Sequence, residues 1–570
     1  MANEILKIKQ GEATQKDWHN YFVSRNSDLE TDYSRIVSGV KSRVVDGYIK
    51  VGYNRLRDFF NGDQWQYEPE GGQIPRVYNL CRGVVINYTA FMTNEPLSID
   101  VPPLEITDEE EVARAEAKER VLRDILIDNN FNSLFESACQ NGSLLGDSVI
   151  LGPFYDAEED RIWIQNVKKP ENVRIIWADD TYSKIIGFIH HYFLSEEKAY
   201  EMFPKAVEEK ITFQVSEVST NETGTAYSTA SPNRRMVEVM DCWTKDVHMV
   251  IVGNKDLVFE ENKPGFVPII KVANIIHPTD AEGTSDIEDL LDTQTEYNER
   301  NSDFGEITSE TAFPWIWGKN LDPAEVKSGK LNMIDIGDEG EIINDPRRPL
   351  TNNLVQIISS RLSIFYQLSG LNENIFGGSG VRAVTGRALS VLMQTVNNRI
   401  KGRQLRWSEA LQELFKNIFI LVEEYADGGK ELIGGYYKTD IIFPGTLLRN
   451  ITDEINKFNA KLQSQETTMK NLDIPSPKDE RKLMKKELED QITMIEISRN
   501  PALQLQVHQM LAQELSQKVA GRNPQLREDE NAGGEMPSAN GGAGNQSPVS
   551  PEGAVSQSNQ RNGANVNLEE

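Results

Sequence analysis

Cysteine is scarce in this chain. Cys81, Cys139 and Cys242 stand far apart with no CxxC between them, so neither a disulfide framework nor a zinc cluster is indicated, and a reducing, intracellular origin is expected. Histidine is thin as well, with six residues and no HxxxH or ExxH pairing. His190 and His191 are neighbours on an expected strand, so they point to opposite faces and cannot chelate one metal together. No apolar run approaches the ~18 residues of a membrane helix, and the opening MANEILKIKQGEATQKDW has no apolar core of a secretion signal. A soluble protein made in the cytosol is expected. Positive charge is also short, 60 Lys and Arg against 88 Asp and Glu, for a net −28. Proteins that wrap nucleic acid carry a basic surface to displace counterions. Contact with DNA must here be local or repulsive.

The 570 residues leave room for about three or four domains. Helical spacing holds from Ser27 to Phe60 with breaks expected at Gly39, Gly47 and Gly52, and ends in DFFNGDQW, residues 58–65. There Phe59 and Phe60 close an amphipathic helix, Asn61-Gly62 supplies the left-handed turn, and Trp65 is expected to pack back over it. The aromatics are architecture, with no support for nucleotide stacking. Cys81, Val84, Tyr88 and Phe91 then form the stripe of a second helix, closed by Asn94-Glu95-Pro96. Thr107 and Glu110 have capping-box spacing before a third. From Asp147 to about Phe259 the period shifts toward two, in β-branched and aromatic runs such as DSVILGPFY, KIIGFIHHYF and HMVIVGN. These read as strands of a mostly antiparallel sheet. The fold class is α+β, predominantly helical.

The most informative stretch begins at Asp286. On a helix, Asp289, Asp292, Glu296, Glu299, Asp303, Glu306 and Glu310 fall at alternating spacings of three and four, one carboxylate stripe along one face. Apolar residues are dense only at its start, at Ile287, Leu290 and Leu291, so most of this helix is expected to lie outside the core of its own subunit. A solvated face explains such a stripe, and so does a wall along a channel for a polyanion. A small β-rich module follows, then a second helix, TNNLVQIISSRLSIFYQLSG, stopped at Gly370. The sign then reverses. Arg382, Arg387, Arg399, Lys401, Arg403 and Arg406 occur with no acid from Asn374 to Ser408. GGSGVRAVTGRALS misses the phosphate-loop pattern, because five residues separate Gly380 from Gly386 and Arg387 stands where lysine should. A loop leading into a long helix, Ala388 to about Tyr425, is the expectation, with Gly402 a candidate kink. The acids at Asp179-Asp180 and Glu158-Glu159-Asp160 read as turn residues before they read as metal ligands.

The order of these elements resembles the portal protein of tailed bacteriophages. The resemblance runs from about residue 45 to 500 and is carried by RDFFNGDQW, PRVYNLCRGVVINYTAFMTNEPLSI, VPIIKVANIIHPTDAEGTSDIEDL, the paired helices and LSGLNENIFGGSGVRAVTGRALSVL. It implies a dodecameric ring with a central tunnel at one capsid vertex, built from wing, stem, clip and crown regions. By that resemblance 1–45 is an N-terminal arm, 46–285 the wing, 286–311 and 351–371 the stem helices, and 312–350 the clip, with Trp315 and Trp317 on its surface. Residues 372–387 become the tunnel loop, 388–450 the long helix returning to the wing and 451–520 the crown; 521–570, Gly, Asn, Ser, Pro and Gln with few apolar residues, is expected from its composition to be a disordered tail. Its implied partners are double-stranded DNA, the large terminase subunit, the major capsid protein with any scaffold, and a head-tail adaptor. Neither a membrane nor a cofactor is implied, the virion is the location, and no catalysis is expected. The seven acids of the stripe would line the tunnel. Arg382, Arg387, Arg399, Lys401 and Arg403 would contact DNA or pair with a neighbouring subunit. Two other readings compete, an acidic assembly scaffold and a metal-dependent nucleic-acid enzyme.

Overall fold

The computed structural model describes residues 8, 13–38, 51–65, 74–105, 108–179, 181–208, 211–213, 215–218, 234–278, 280–312, 316–318, 333–335, 352–371, 373–376, 393–443, 451–462, 465, 468–469, 480–489 and 491. They belong to two compact units, 1–478 and 479–570, and the elements named below lie in the first. Helix α1 (Gln15–Ser38) stops before Gly39, and α2 (Tyr53–Asn61) resumes after Gly52. In α3 (Leu80–Thr93) the buried stripe holds Cys81, Val84 and Tyr88, widened by Val85 and Met92, and Asn79 caps it by accepting from the Arg82 N–H at 3.0 Å. Beyond β1 (Ser98–Asp100), α4 (Glu109–Asp128) is capped by Asp108, whose carboxylate accepts from the Glu110 N–H at 2.9 Å. The expected box placed that cap one residue earlier, at Thr107. A carboxylate there also meets the positive end of the helix dipole. α5 (Phe131–Leu145) completes the helical layer.

Strands follow as β2 (Asp147–Asp156), β3 (Arg161–Asn166), β4 (Val173–Trp177) and β5 (Ile185–Ser195). Two short helices, α6 (Glu196–Met202) and α7 (Pro204–Glu208), precede β6 (Val215–Val218), β7 (Arg234–Thr244), β8 (Val247–Val252), β9 (Lys255–Glu261) and β10 (Ile269–Ala273). One sheet has the order β10-β2-β3 and the other β4-β5-β7-β8-β9, with β6 also on β7. Every pairing in these two sheets is antiparallel. α1 covers one face of the larger sheet with Trp18, Tyr21 and Phe22 over Ile189, Met240 and Met249.

The rest of the unit comprises α8 (Leu291–Ala312), β11 (Ile316–Gly318), β12 (Met333–Asp335), α9 (Asn352–Ser369), α10 (Gln394–Tyr425), α11 (Gly429–Ile433), β13 (Asp440–Ile442) and α12 (Ile451–Asn459). β11 and β12 pair in parallel, and residues 319–332 between them have the dozen or so residues a crossover needs. α10 runs unbroken through Gly402, and Val396, Ile400, Trp407, Leu411, Leu414 and Ile418 are buried along it. That stripe joins Phe59, Val84, Tyr88, Leu122 and Phe135 in the principal core. α10 is therefore the axis on which the helical layer is assembled.

A charged row crosses the larger sheet. On the face opposite α1, His190 pairs with Asp241, and His248 with Glu260, in cross-strand register. The two nitrogens of His248 meet Glu260 at 2.7 Å and Asp241 at 3.0 Å, while its ring stacks on Trp243 at 3.8 Å. Burial pushes the His248 pKa down, but the hydrogen bonds and charges of Asp241 and Glu260 outweigh it and leave the pKa above the ordinary imidazole value. A raised folded-state pKa stabilises the fold fully below the unfolded value, and that contribution is lost as pH rises through the folded one. His248→Gln is accordingly expected to cost about 1–2 kcal/mol at pH 6 and progressively less toward pH 9. Urea unfolding of both proteins across that range measures it, and a pH-independent difference would rule out the imidazolium.

Candidate functional site

The acid helix is α8, and its face opposite the stripe is buried by polar side chains. Gln294, Asn298 and Ser302, one per turn, are 0%, 2% and 2% exposed. Each accepts from the main chain of the segment before α3, the Leu80 N–H reaching Gln294 at 3.1 Å, the Tyr78 N–H Asn298 at 3.0 Å and the Arg76 N–H Ser302 at 3.0 Å. Gln294 also donates to the Tyr78 carbonyl at 2.7 Å, and Asn298 to the Gln64 side chain at 2.6 Å. Two residues of extended chain advance about 6.6 Å and four of helix about 6.0 Å, so alternate N–H groups of the segment meet successive turns of α8. The expectation that most of this helix lies outside its own subunit's core is corrected here. Past Leu291, which joins the principal core, one side is buried by Gln294, Asn298 and Ser302, whose polar groups find partners.

Gln64 explains the turn at DFFNGDQW. Gly62 takes φ 96 and donates its N–H to Asp58 at 2.9 Å, ending α2 as expected. Gln64, and not Trp65, folds back beneath it, donating to the Phe59 carbonyl at 2.9 Å and to Asn79 at 3.1 Å. Trp65 lies half-buried and donates to the Arg76 carbonyl at 3.4 Å. Gly305, next on the same face of α8, leaves room for the Arg76 guanidinium, which a Cβ would strike.

The stripe itself is open. Asp289, Asp292 and Glu306 are exposed, and Glu296, Glu299 and Asp303 are intermediate. Arg300 pairs with Asp303 at 3.0 Å, and Arg361 reaches across from α9 to Glu296 at 2.8 Å. The segment 74–79 thus holds one flank of α8 and α9 another, with the carboxylates between them. The side chain of Glu310 lies outside the described residues.

Two of the expected basic residues, Arg399 and Arg403, are bonded within the chain. Arg403 is 4% exposed, paired with Asp286 and laid over the Tyr88 ring at 4.0 Å. Asp286 accepts from the Ser143 hydroxyl at 2.6 Å, and Tyr88 donates to the Ser369 carbonyl at 2.8 Å. Arg399 donates to that same carbonyl at 2.9 Å, and Arg406 bonds the carbonyls of Ala273 and Asn274. Burial pushes the Tyr88 hydroxyl above its ordinary pKa, and Asp286 adds to it. Contact with DNA or a neighbouring subunit is thereby corrected for Arg403. Its charge is already neutralised inside the chain, and so buried a guanidinium cannot leave its carboxylate without a large desolvation penalty. Lys401 is exposed. Arg382, Arg387 and Trp315, like the tunnel-loop and tail expectations that rest on 377–392 and 521–570, lie outside the described residues, and Trp317 is placed only as a strand residue.

The turn acids serve the turns. Asp179 accepts from the Thr181 N–H at 3.0 Å, Asp156 from the Glu158 N–H at 2.9 Å, and Asp160 from the Tyr155 hydroxyl at 2.8 Å. Among the described residues no group of three or more His, Cys, Asp or Glu is arranged to hold a metal ion, and no helix is long and apolar enough to cross a membrane.

Residues 77–494 match the family model for phage portal proteins of the SPP1 Gp6-like type. No curated protein matches the chain. The matched span takes in α8, α9 and the buried arginine of α10. There the Asp286–Arg403 pair makes a definite prediction. Arg403→Met alone strands a buried carboxylate and is expected to cost about 3–5 kcal/mol. Adding Asp286→Leu is expected to recover most of that loss. Thermal unfolding of the two variants reads the difference, and a harmless single substitution would contradict the buried pair.

Proposed function

The chain belongs to the phage portal protein family, and on that premise we propose that copies of it form a ring at one capsid vertex through which double-stranded DNA is packaged and ejected. The family is structural and capsid-associated, which accords with an assembled, non-enzymatic role. In this reading α8 and α9 are the stem, and residues 312–350 the clip that docks the large terminase subunit and later the head-tail adaptor. A dodecamer is the proposed stoichiometry. The wing and its sheets face the major capsid protein and any scaffold.

The observation that carries this reading is the open stripe of carboxylates on α8, fixed between the 74–79 segment and α9. Duplex DNA presents a charge every ~1.7 Å of its axis. A basic wall would bind those phosphates and brake movement. Repeated around a ring, the acid stripe would instead repel them from all sides and keep the duplex centred. The salt screening length of about 8 Å under physiological conditions restricts that repulsion to DNA near the wall. The inward arginines of α10 fit the same reading, since their charge is neutralised by the fold.

Charge reversal at Asp292, Glu299 and Glu306 tests it while sparing Glu296, whose bond to Arg361 joins α8 to α9. The triple lysine variant is expected to assemble normally and to slow or stall DNA packaging, most strongly at low salt. Packaging at the normal rate by an assembled triple variant would sink the repelling-wall idea.

A further inference from the structure

The β10 side of the smaller sheet borders a cleft of about 1180 Å³. Among the described residues β10 is the last strand on that side, and all five of its residues, Ile269–Ala273, line the cleft. A sheet edge of this kind is a template for one more strand. The two faces of β10 meet different surroundings. Ile270 and Val272 turn into the principal core with α10, whereas Ile269 and Lys271 turn toward the larger sheet, where the Lys271 ammonium lies 5.6 Å from the centre of the Trp177 ring. Arg406 closes one end by bonding the carbonyls of Ala273 and Asn274. The cleft therefore prolongs the sheet sideways, with α10 on one wall and the larger sheet on the other.

The walls are unlike. On α10, Glu409, Glu413 and Asn417 face the cleft at intervals of four, one below the other on the helix. The two glutamates are exposed, while Asn417 is 4% exposed and its carboxamide bonds to none of the described residues. The other buried asparagines, Asn26, Asn262, Asn274 and Asn298, are all hydrogen-bonded. A buried amide without a partner, opening into a cleft, points to a ligand. Because a carboxamide both donates and accepts, it suits another amide better than a simple ion. The opposite wall presents Trp177, Ile185 and Ile186, with Lys184 beside them. Four residues of helix advance about 6.0 Å and two of strand about 6.6 Å. Alternate side chains of a strand laid beside β10 would thus meet Glu409, Glu413 and Asn417 in turn, and those between would meet Trp177 and Ile185.

We infer that this cleft binds an extended segment of a partner protein, with apolar residues alternating with lysine or arginine, as an added strand on β10. The two acids of α10 select the cations, the aromatic wall takes the apolar residues, and Asn417 pairs with an amide of the segment. Lys184 disfavours cations on the second wall, so the alternation matters as well as the charge. The site is separate from the stripe of α8 and does not rest on the ring reading.

The test titrates the full-length chain against three fluorescein-labelled peptides and follows their anisotropy. GLKIKVNG has the alternation, GLIVKKNG has the same composition in blocks, and GLEIEVNG has the opposite charge. The first is expected to bind with a Kd on the order of 10 μM and the other two at least about tenfold more weakly. Equal binding of the block peptide would reduce the effect to the general attraction of an acidic chain and overturn the inference, as would no binding of the alternating one. Glu409→Lys with Glu413→Lys is expected to reverse the preference between the lysine and glutamate peptides. Asn417→Leu, which leaves the charge unchanged, is expected to weaken binding of the alternating peptide about tenfold and to raise the melting point, since it removes a buried amide that lacks a partner. A lower melting point with binding unchanged would make Asn417 structural and refute its role. Light scattering identifies the occupant. A peptide that bound only by separating copies of the chain from one another would put a second copy in the cleft and overturn the assignment to a partner.

Discussion

Asp286 and Arg403 meet out of reach of water, and the placement of five helices depends on that meeting. Asp286 stands just before α8, its carboxylate held by Ser143 of α5 as well as by Arg403 of α10. Arg403 also lies against Tyr88 of α3, whose hydroxyl holds the last carbonyl of α9. The start of the acid helix and the end of its companion are therefore pinned to one hub. A buried ion pair adds little to stability compared with apolar packing, but its geometry is demanding. Here that demand sets where α8 and α9 leave the core.

Past Leu291, which joins the principal core, α8 is held chiefly by polar contacts. Apolar contacts would allow the helix to slide, because burial has little directional preference. The ladder of Gln294, Asn298 and Ser302 does not, since a shift of one residue turns every rung about 100° away from its partner. Each rung adds only about 1 kcal/mol net, yet breaking one leaves an unpaired polar group in a buried place. The ladder thus fixes rotation, and rotation decides that the carboxylates face outward. Gly305 belongs to the same arrangement, because a side chain there would displace Arg76.

Charge is sorted by depth as well as by sequence. The acids of α8 remain at the surface, whereas Arg399, Arg403 and Arg406 direct their guanidiniums to Asp286 and to the carbonyls of Ser369, Ala273 and Asn274. The local excess of positive charge in the sequence consequently does not become a positive surface at those positions.

Much of this was legible without coordinates. The three-four spacing of the acids required a single stripe on any helix, because 3.6 residues per turn leaves no other arrangement. Alternation in 147–259 required strands, the Asn61-Gly62 pair required a left-handed helix end, and the buried stripe of α3 followed from Cys81, Val84 and Tyr88. What the sequence could not decide was which partner each polar group would find. Gln294, Asn298 and Ser302 look like solvent residues in a polar helix, and only the segment passing beside them, more than two hundred positions away in sequence, makes them the buried side. The arginines before Trp407 look like a binding patch, and only Asp286, 117 residues distant, turns Arg403 inward. Periodicity is local and is written in the chain. The pairing of polar groups depends on what tertiary packing brings within about 3 Å, and that is decided by the fold.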